Sequence, residues 1–303
     1  GLLPERRDVE QVLTELLGRR LEEGAGIDQI GKYKLLGKIG EGFSSKVYEA
    51  LHTRLDRVVA VKMLSHSLAY DPRFHERFLD EARLIASLEH PRIVQILDTE
   101  SAYATFFLVM ERLRGRNLRE VLHAEGPLQP VRAMGVLRQV GEALRYAHER
   151  GIVHRDVKPA NCSVDDGGQV KLMDFGISHR IDPENCGPHK VVSGTPGYIA
   201  PETALGQPID GRADIYSLGV MAYEMVVGAP PYSAKTIEKL LMAHVHDPLP
   251  DLDQLRPDLP DALSTFTQGA LAKKPGDRLT AWDLILHLLY PDPAALALGV
   301  APM

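Results

Sequence analysis

Two short stretches of this chain carry residues whose types and spacing suit phosphate chemistry. The first is Gly151-Ile152-Val153-His154-Arg155-Asp156-Val157-Lys158-Pro159-Ala160-Asn161; the second, Asp174-Phe175-Gly176, follows thirteen residues after Asn161. Together they supply two carboxylates, an ammonium and an amide, a set able to handle a metal-bound triphosphate and a hydroxyl nucleophile. Either stretch alone is a weak signal, and both in this order are a strong one. Upstream, Gly40 and Gly42 in Gly40-Glu41-Gly42-Phe43-Ser44-Ser45-Lys46-Val47 would let backbone N–H groups approach phosphate oxygens. Read alone, that segment is an ordinary hairpin turn, and no Gly-Lys-Ser/Thr follows to make it a Walker A loop. In Val59-Ala60-Val61-Lys62, period-two alternation puts Ala60 and Lys62 on one face. A buried amine needs a counter-charge, and Glu81 in Asp80-Glu81-Ala82-Arg83 is the natural partner. The plainer reading of Lys62, a surface lysine on an edge strand, fits poorly with its apolar neighbours.

The elements that must position these groups are of two kinds. Short β-branched runs at Tyr33–Ile39, Lys46–Leu51 and Val58–Leu64 predict three strands. A helix is expected over Pro72–Leu88, then strands over Ile93–Asp98 and Thr105–Met110. Past a break at Gly115 the pattern turns helical, over Pro130–Arg150, Gly211–Val227, Lys235–Val245, Asp261–Ala272 and Ala281–Leu289. A small sheet domain followed by a larger helical one predicts a cleft between them, a preferred place for a ligand. Residues 1–30 stand apart: Val9, Val12, Leu13, Leu16, Leu17 and Leu21 recur at helical spacing until Gly24-Ala25-Gly26. That helix is expected to pack on its own domain, with a docking or homodimer helix through residues 8–21 as the alternative. Residues 291–303 read as a frayed Pro-, Ala- and Gly-rich tail.

Bulk properties narrow the classes. The chain has 303 residues, 44% hydrophobic and 25% charged, enough for two ordinary soluble domains. A net charge of −6 argues against a nucleic-acid partner. The two cysteines, Cys162 and Cys186, form neither a disulfide framework nor a zinc spacing and suit a reducing cytoplasm. They are read as unrelated thiols, with a redox link as the remote alternative. No apolar run reaches the length of a membrane span, and no basic-then-apolar leader is present. The chain begins at Gly1, which reads as a trimmed or excised piece whose longer parent has room for a membrane anchor.

From about Tyr33 to Leu289 the chain resembles a eukaryotic-type (Hanks-type) serine/threonine protein kinase, most like the bacterial members. The resemblance rests on the glycine loop, Val59–Lys62, Glu81, His154-Arg155-Asp156 and Asp174-Phe175-Gly176. It continues through Gly194-Thr195-Pro196-Gly197-Tyr198, Ala200-Pro201-Glu202, Asp214 and Arg278. It implies an α+β bilobal protein-kinase-like fold: a small antiparallel sheet N-lobe with one main helix over 31–112, and a larger mainly helical C-lobe over 113–290. It also implies ATP and two Mg²⁺ ions as cofactors and a Ser- or Thr-bearing protein as substrate. By resemblance, Asp156 orients the acceptor hydroxyl, Lys158 steadies the γ-phosphate, and Lys62 holds the α- and β-phosphates while pairing with Glu81. Asn161 and Asp174 hold the metals. Val47 and Ala60 cover the adenine, Met110 is the gatekeeper, and Glu111-Arg112-Leu113 is the hinge. Lys158 and Thr195 mark serine/threonine preference. Glu202 with Arg278 is expected as a structural ion pair, Asp214 as a clamp on the catalytic-loop backbone, and His154 as a packed core histidine.

Departures from the pattern carry their own expectations. Ser45 replaces a third loop glycine. Ser163 stands where the adenine floor is usually a large aliphatic, a loss worth roughly 1–2 kcal/mol unless a one-residue shift brings in Cys162 or Val164. Arg155, Arg77 and His179 align with a phosphate-binding pocket, yet the eight residues before Thr195 contain one hydroxyl, Ser193. Activation without threonine phosphorylation is therefore expected: either Ser193 substitutes, or helix and partner contacts order the segment instead, and the plainer reading is that Ser178 or Ser193 takes a phosphate without consequence. Asn117 and Ala160 do not support selectivity for basic substrates. Arg112, Arg114, Arg116 and Arg119 either favour acidic partners or form a solvated face. The alternative from another functional class is a pseudokinase-like nucleotide-binding scaffold or regulatory module. A small-molecule kinase is disfavoured by the Gly194–Tyr198 and Ala200–Glu202 segments.

Overall fold

The structure, a computed structural model, describes residues 29–42, 45–64, 82–102, 105–175 and 194–290. The expected helix within residues 1–30, Arg77, Glu81, Gly176, Ser178, His179, Cys186, Ser193 and the 291–303 tail lie outside them, as does most of the helix expected from Pro72. The chain divides into two compact units, residues 1–89 with 94–113, and residues 90–93 with 114–303.

The first unit is built on a six-stranded antiparallel sheet. Its strands are β1 (Gln29–Ile30), β2 (Tyr33–Gly42), β3 (Ser45–His52), β4 (Arg57–Leu64), β5 (Ile96–Ala102) and β6 (Thr105–Glu111), in the order β1-β2-β3-β4-β6-β5. Because successive residues alternate between faces, the register sorts the side chains into two sets. One face buries Ala50, Val59, Val61, Met63, Phe107 and Val109, joined by Ile30 and Tyr33, into a single apolar cluster. Register shifts in β2, between Leu35 and Gly37 and between Lys38 and Gly40, leave Leu36 and Ile39 without an opposed residue, and both are exposed. Residues 82–86 are helical (α1) and bury Ala82 and Ile85.

The second unit carries a three-stranded sheet of β7 (Arg116–Asn117), β8 (Cys162–Val164) and β9 (Val170–Leu172). Its helices are α2 (Leu118–Glu125), α3 (Pro130–His148), α4 (Pro201–Ala204), α5 (Arg212–Val227), α6 (Ile237–His246), α7 (Leu252–Leu255), α8 (Asp261–Ala270) and α9 (Trp282–Leu288). Buried residues occur all round α5, the pattern of a helix that the others pack against. A Cβ at Gly219 would fall 2.8 Å from the Cβ of Ala270, so α5 and α8 approach as closely as they do only because that side chain is missing. The strand expected from Ile93 begins at Ile96 instead. Ile93 makes a parallel bridge to Leu172 and the Leu172 N–H donates to the Arg92 carbonyl at 2.8 Å, which ties His90–Ile93 to the helical unit. Among the described residues, no helix is long and apolar enough to cross a membrane.

Candidate active site

In the first unit the strand register gathers the expected nucleotide residues on one face. Val47 pairs with both Gly40 and Lys62, Lys62 with Leu108, and Ala60 with Met110. Directly opposed residues of antiparallel strands share a face, so Gly40, Val47, Ala60, Lys62 and Met110 lie together on the face opposite the apolar cluster. Gly42 closes the hairpin by pairing with Ser45. At the end of β6 the Glu111 N–H donates to the Gln95 carbonyl at 3.0 Å, and the Glu111 carboxylate accepts the Gln95 N–H at 2.9 Å. The Arg112 guanidinium donates to Glu49 at 2.8 Å and also to the Leu113 carbonyl.

The second unit builds its site from one buried carboxylate outward. Asp214, in the first turn of α5, is fully buried and accepts the His154 N–H at 2.7 Å on Oδ2 and the Arg155 N–H at 2.8 Å on Oδ1. Burial alone would push its carboxyl up. The hydrogen bond and charge of His148, with the His154 contacts, outweigh that and hold it below the usual aspartate range. Gripped in this way, Arg155 adopts φ +68°, a left-handed conformation that a non-glycine residue keeps only when its surroundings enforce it.

His154 is fully buried, and burial pushes its pKa below the ordinary histidine value. Its hydrogen bonds assign a neutral tautomer: Nδ1 accepts the Asp156 N–H at 3.2 Å, while Nε2–H donates to the Met173 carbonyl at 2.9 Å. Its ring also lies 4.5 Å from that of Phe175. The Met173 N–H returns to the Asn161 carbonyl at 2.8 Å. The two motif stretches are thereby locked together, and Asp174, between Met173 and Phe175, adopts φ +57°.

The Asp156 carboxylate is surrounded by donors. Oδ2 accepts Lys158 Nζ at 2.6 Å and Asn161 Nδ2 at 3.0 Å; Oδ1 accepts the Thr195 N–H at 3.1 Å and its hydroxyl at 2.8 Å. Lys158 Nζ also donates to Thr195 Oγ1 at 2.6 Å. Asn161 Nδ2 bonds the Asp156 carbonyl at 2.8 Å, so both Asn161 bonds use its amide nitrogen and turn its oxygen the other way. Asp156, Lys158, Asn161 and Thr195 therefore belong to one connected network, and Asp174 follows Met173, whose N–H and carbonyl bond Asn161 and His154. Glu81 lies outside the described residues.

Ser163 opposes Asn117 and Lys171 across β7 and β9. Its neighbours Cys162 and Val164 take the other face, and Cys162 Sγ lies 3.9 Å from Met221 Sδ of α5. Burial pushes the Cys162 thiol up to about 12, which makes it inert. Of Arg112, Arg114, Arg116 and Arg119, Arg112 pairs with Glu49 and Arg116 with Glu125, as in a solvated face. Arg278 and Glu202 form the expected buried pair at 2.6 Å. Sequence reasoning did not identify two contributors, Thr195 as a ligand of Asp156 and His148 as a ligand of Asp214.

Residues 33–290 match the family described as protein kinase domain. The chain is 41% identical over 257 residues to a probable serine/threonine-protein kinase PknB of Corynebacterium glutamicum, a match covering 82% of this chain and 40% of that protein. It is 40% identical over 258 residues to the serine/threonine-protein kinase PknA of Mycobacterium tuberculosis, covering 84% of this chain and 59% of that one. The chain thus spans roughly two fifths to three fifths of the length of these relatives. Among solved structures, the PknI kinase domain of Mycobacterium tuberculosis superposes with a TM-score of 0.70 at 28% identity, covering 88% of this chain and 98% of that domain.

Proposed function

This chain belongs to the protein kinase domain family, and we propose that it transfers the γ-phosphoryl group of ATP to serine or threonine hydroxyls of a protein substrate. The observation that carries the reading is the Asp156 carboxylate, fixed by Lys158, Asn161 and Thr195. Phosphoryl transfer asks little covalent chemistry of a protein: it needs an aligned acceptor and fixed positive charge for a spreading negative one.

Asp156 would accept a hydrogen bond from the acceptor hydroxyl and keep its oxygen in line with the γ-phosphorus. As the acceptor oxygen bonds to phosphorus, the bond from phosphorus to the bridging oxygen breaks and ADP leaves with that electron pair. The hydroxyl proton passes to the Asp156 carboxylate. Lys158 would meet the γ-phosphate, and Lys62, with Glu81 as its partner, the α- and β-phosphates. Gly40 and Gly42 would offer backbone N–H groups to the phosphates. Val47 and Ala60 would lie over the adenine and Ser163 beneath it, with Met110 at its back and the Glu111 and Leu113 backbone along its edge.

Asn161 and Asp174 would hold Mg²⁺, two ions in this reading. The donor set fits, because a carboxylate and an amide oxygen are hard ligands and Mg²⁺ takes its remaining ligands from phosphate and water. Bound there, Mg²⁺ supplies neutralisation of the phosphate charge.

The test is incubation with γ-phosphate-labelled ATP, Mg²⁺ and a general protein acceptor, followed by phosphoamino-acid analysis. Label on serine or threonine that is lost in Asp174→Asn is the expected result. Equal labelling by wild type and variant overturns the metal assignment. Nucleotide binding with no transfer overturns the activity.

A further inference from the structure

We propose that His148 is a positioning residue for phosphoryl transfer, setting the orientation of Asp214 and through it the backbone that carries Asp156. The inference rests on the kinase reading for its functional consequence and on geometry for its structural one. His148 is the last residue of α3, and its Nε2–H donates to Asp214 Oδ2 at 2.8 Å. The same oxygen accepts the His154 N–H and the other accepts the Arg155 N–H. With two donors alone the carboxylate could turn about its terminal bond; a third donor, on a separate helix, fixes its plane. That plane aims both oxygens at the two residues immediately before Asp156.

Gly211 supplies the independent observation. A Cβ built there would lie 2.6 Å from His148 Nδ1, 2.7 Å from Cε1 and 3.0 Å from Cγ. The imidazole therefore fills the space where a side chain would sit. Gly211 caps α5 at φ −56° and ψ −18°, an ordinary right-handed conformation, so the backbone does not call for glycine. What calls for it is the room taken by the His148 ring. Trp282 of α9 closes another side, its ring 5.4 Å from the imidazole. Glycine at 211 and histidine at 148 are thus two halves of one device, joined across 63 residues of sequence.

This linkage predicts a specific non-additivity. Gly211→Ala would push the imidazole off Asp214 while keeping every hydrogen-bonding group. His148→Ala would remove the donor and leave room for the new methyl group. Each single change should lower kcat about tenfold, the worth of one hydrogen bond to a charged group, with KM for ATP unchanged. The double variant should be no worse than His148→Ala. His148→Gln, which keeps an N–H donor at similar reach, should recover part of kcat. In parallel, amide hydrogen exchange at His154 and Arg155 should rise in both single variants, and this readout needs no catalysis. The inference is overturned if Gly211→Ala keeps full kcat, if the two costs multiply, or if the two amides exchange as in wild type. If His148→Ala fails to fold, Gly211→Ala and His148→Gln decide the question. If wild type transfers no phosphate, the kinase reading fails while the exchange data still decide the positioning.

Discussion

Removing the Glu202 carboxylate tests how the helical unit is held together. Arg278 has five guanidinium N–H groups, and all five are used. Nε donates to the Ala272 carbonyl at 2.8 Å; Nη1 donates to Glu202 at 2.6 Å and to the Arg212 carbonyl at 3.0 Å; Nη2 donates to Glu202 at 2.6 Å and to the Lys273 carbonyl at 3.0 Å. The Arg278 side chain is 0% exposed and that of Glu202 3%. Glu202→Ala deletes two charge-assisted bonds and leaves a buried cation with only three neutral carbonyls as partners. A one-sided break of this kind costs about 3–5 kcal/mol, or about 6–20 °C in Tm at about 2–4 °C per kcal/mol. Trp282, the single tryptophan, sits in α9 and reports on this unit without a label. Urea denaturation followed by its fluorescence gives the free energy. Glu202→Met with Arg278→Met removes both charges together and should cost clearly less than the sum of the single changes. A Glu202→Ala cost below about 1 kcal/mol, the range of an exposed pair, or strict additivity, would refute the reasoning.

Three other outcomes follow from the same geometry. Thr195→Val removes the hydroxyl shared by Asp156 and Lys158, and steady-state assays should show kcat lower by about ten- to a hundredfold at unchanged KM for ATP, with Thr195→Ser close to wild type. Burial, aided by the nearby Lys273 charge, lowers the His244 pKa from 6.5 to about 4. The unfolded chain takes up a proton there as pH falls through 6.5 while the folded protein does not until about 4, so stability should drop across that window by about 3 kcal/mol. Denaturation curves against pH should show that slope flattened in His244→Gln. Ser163→Leu should tighten ATP binding about five- to thirtyfold in calorimetry if an aliphatic floor contributes roughly 1–2 kcal/mol.

What the sequence made legible and what it hid divide along a physical line. Asp156, Lys158 and Asn161, which share hydrogen bonds in the fold, could be read because their spacing within one short segment is itself the signal. The long apolar helices were placed to within two residues at most ends, the usual fraying uncertainty. The two- and three-residue strands β7 to β9 left no periodicity to find. Helix α2 was missed although Asn117 and Glu120 form a capping box that the sequence does display. Ile93 has the apolar character of a strand residue, but its partner Leu172 is 79 positions away, and no local pattern records that. Thr195 and His148 escaped for the same reason: they act on Asp156 and Asp214 across 39 and 66 residues. Gly211 was a trace of the second, but only the fold brings the His148 ring into the space of its missing side chain.

The most direct test of the account compares wild type with Asp156→Asn in two assays, transfer of labelled phosphate to a Ser/Thr protein acceptor and equilibrium binding of ATP. The account predicts transfer reduced about a hundredfold or more, the scale of a lost acid–base group, with ATP affinity kept. Undiminished transfer by Asp156→Asn would contradict it.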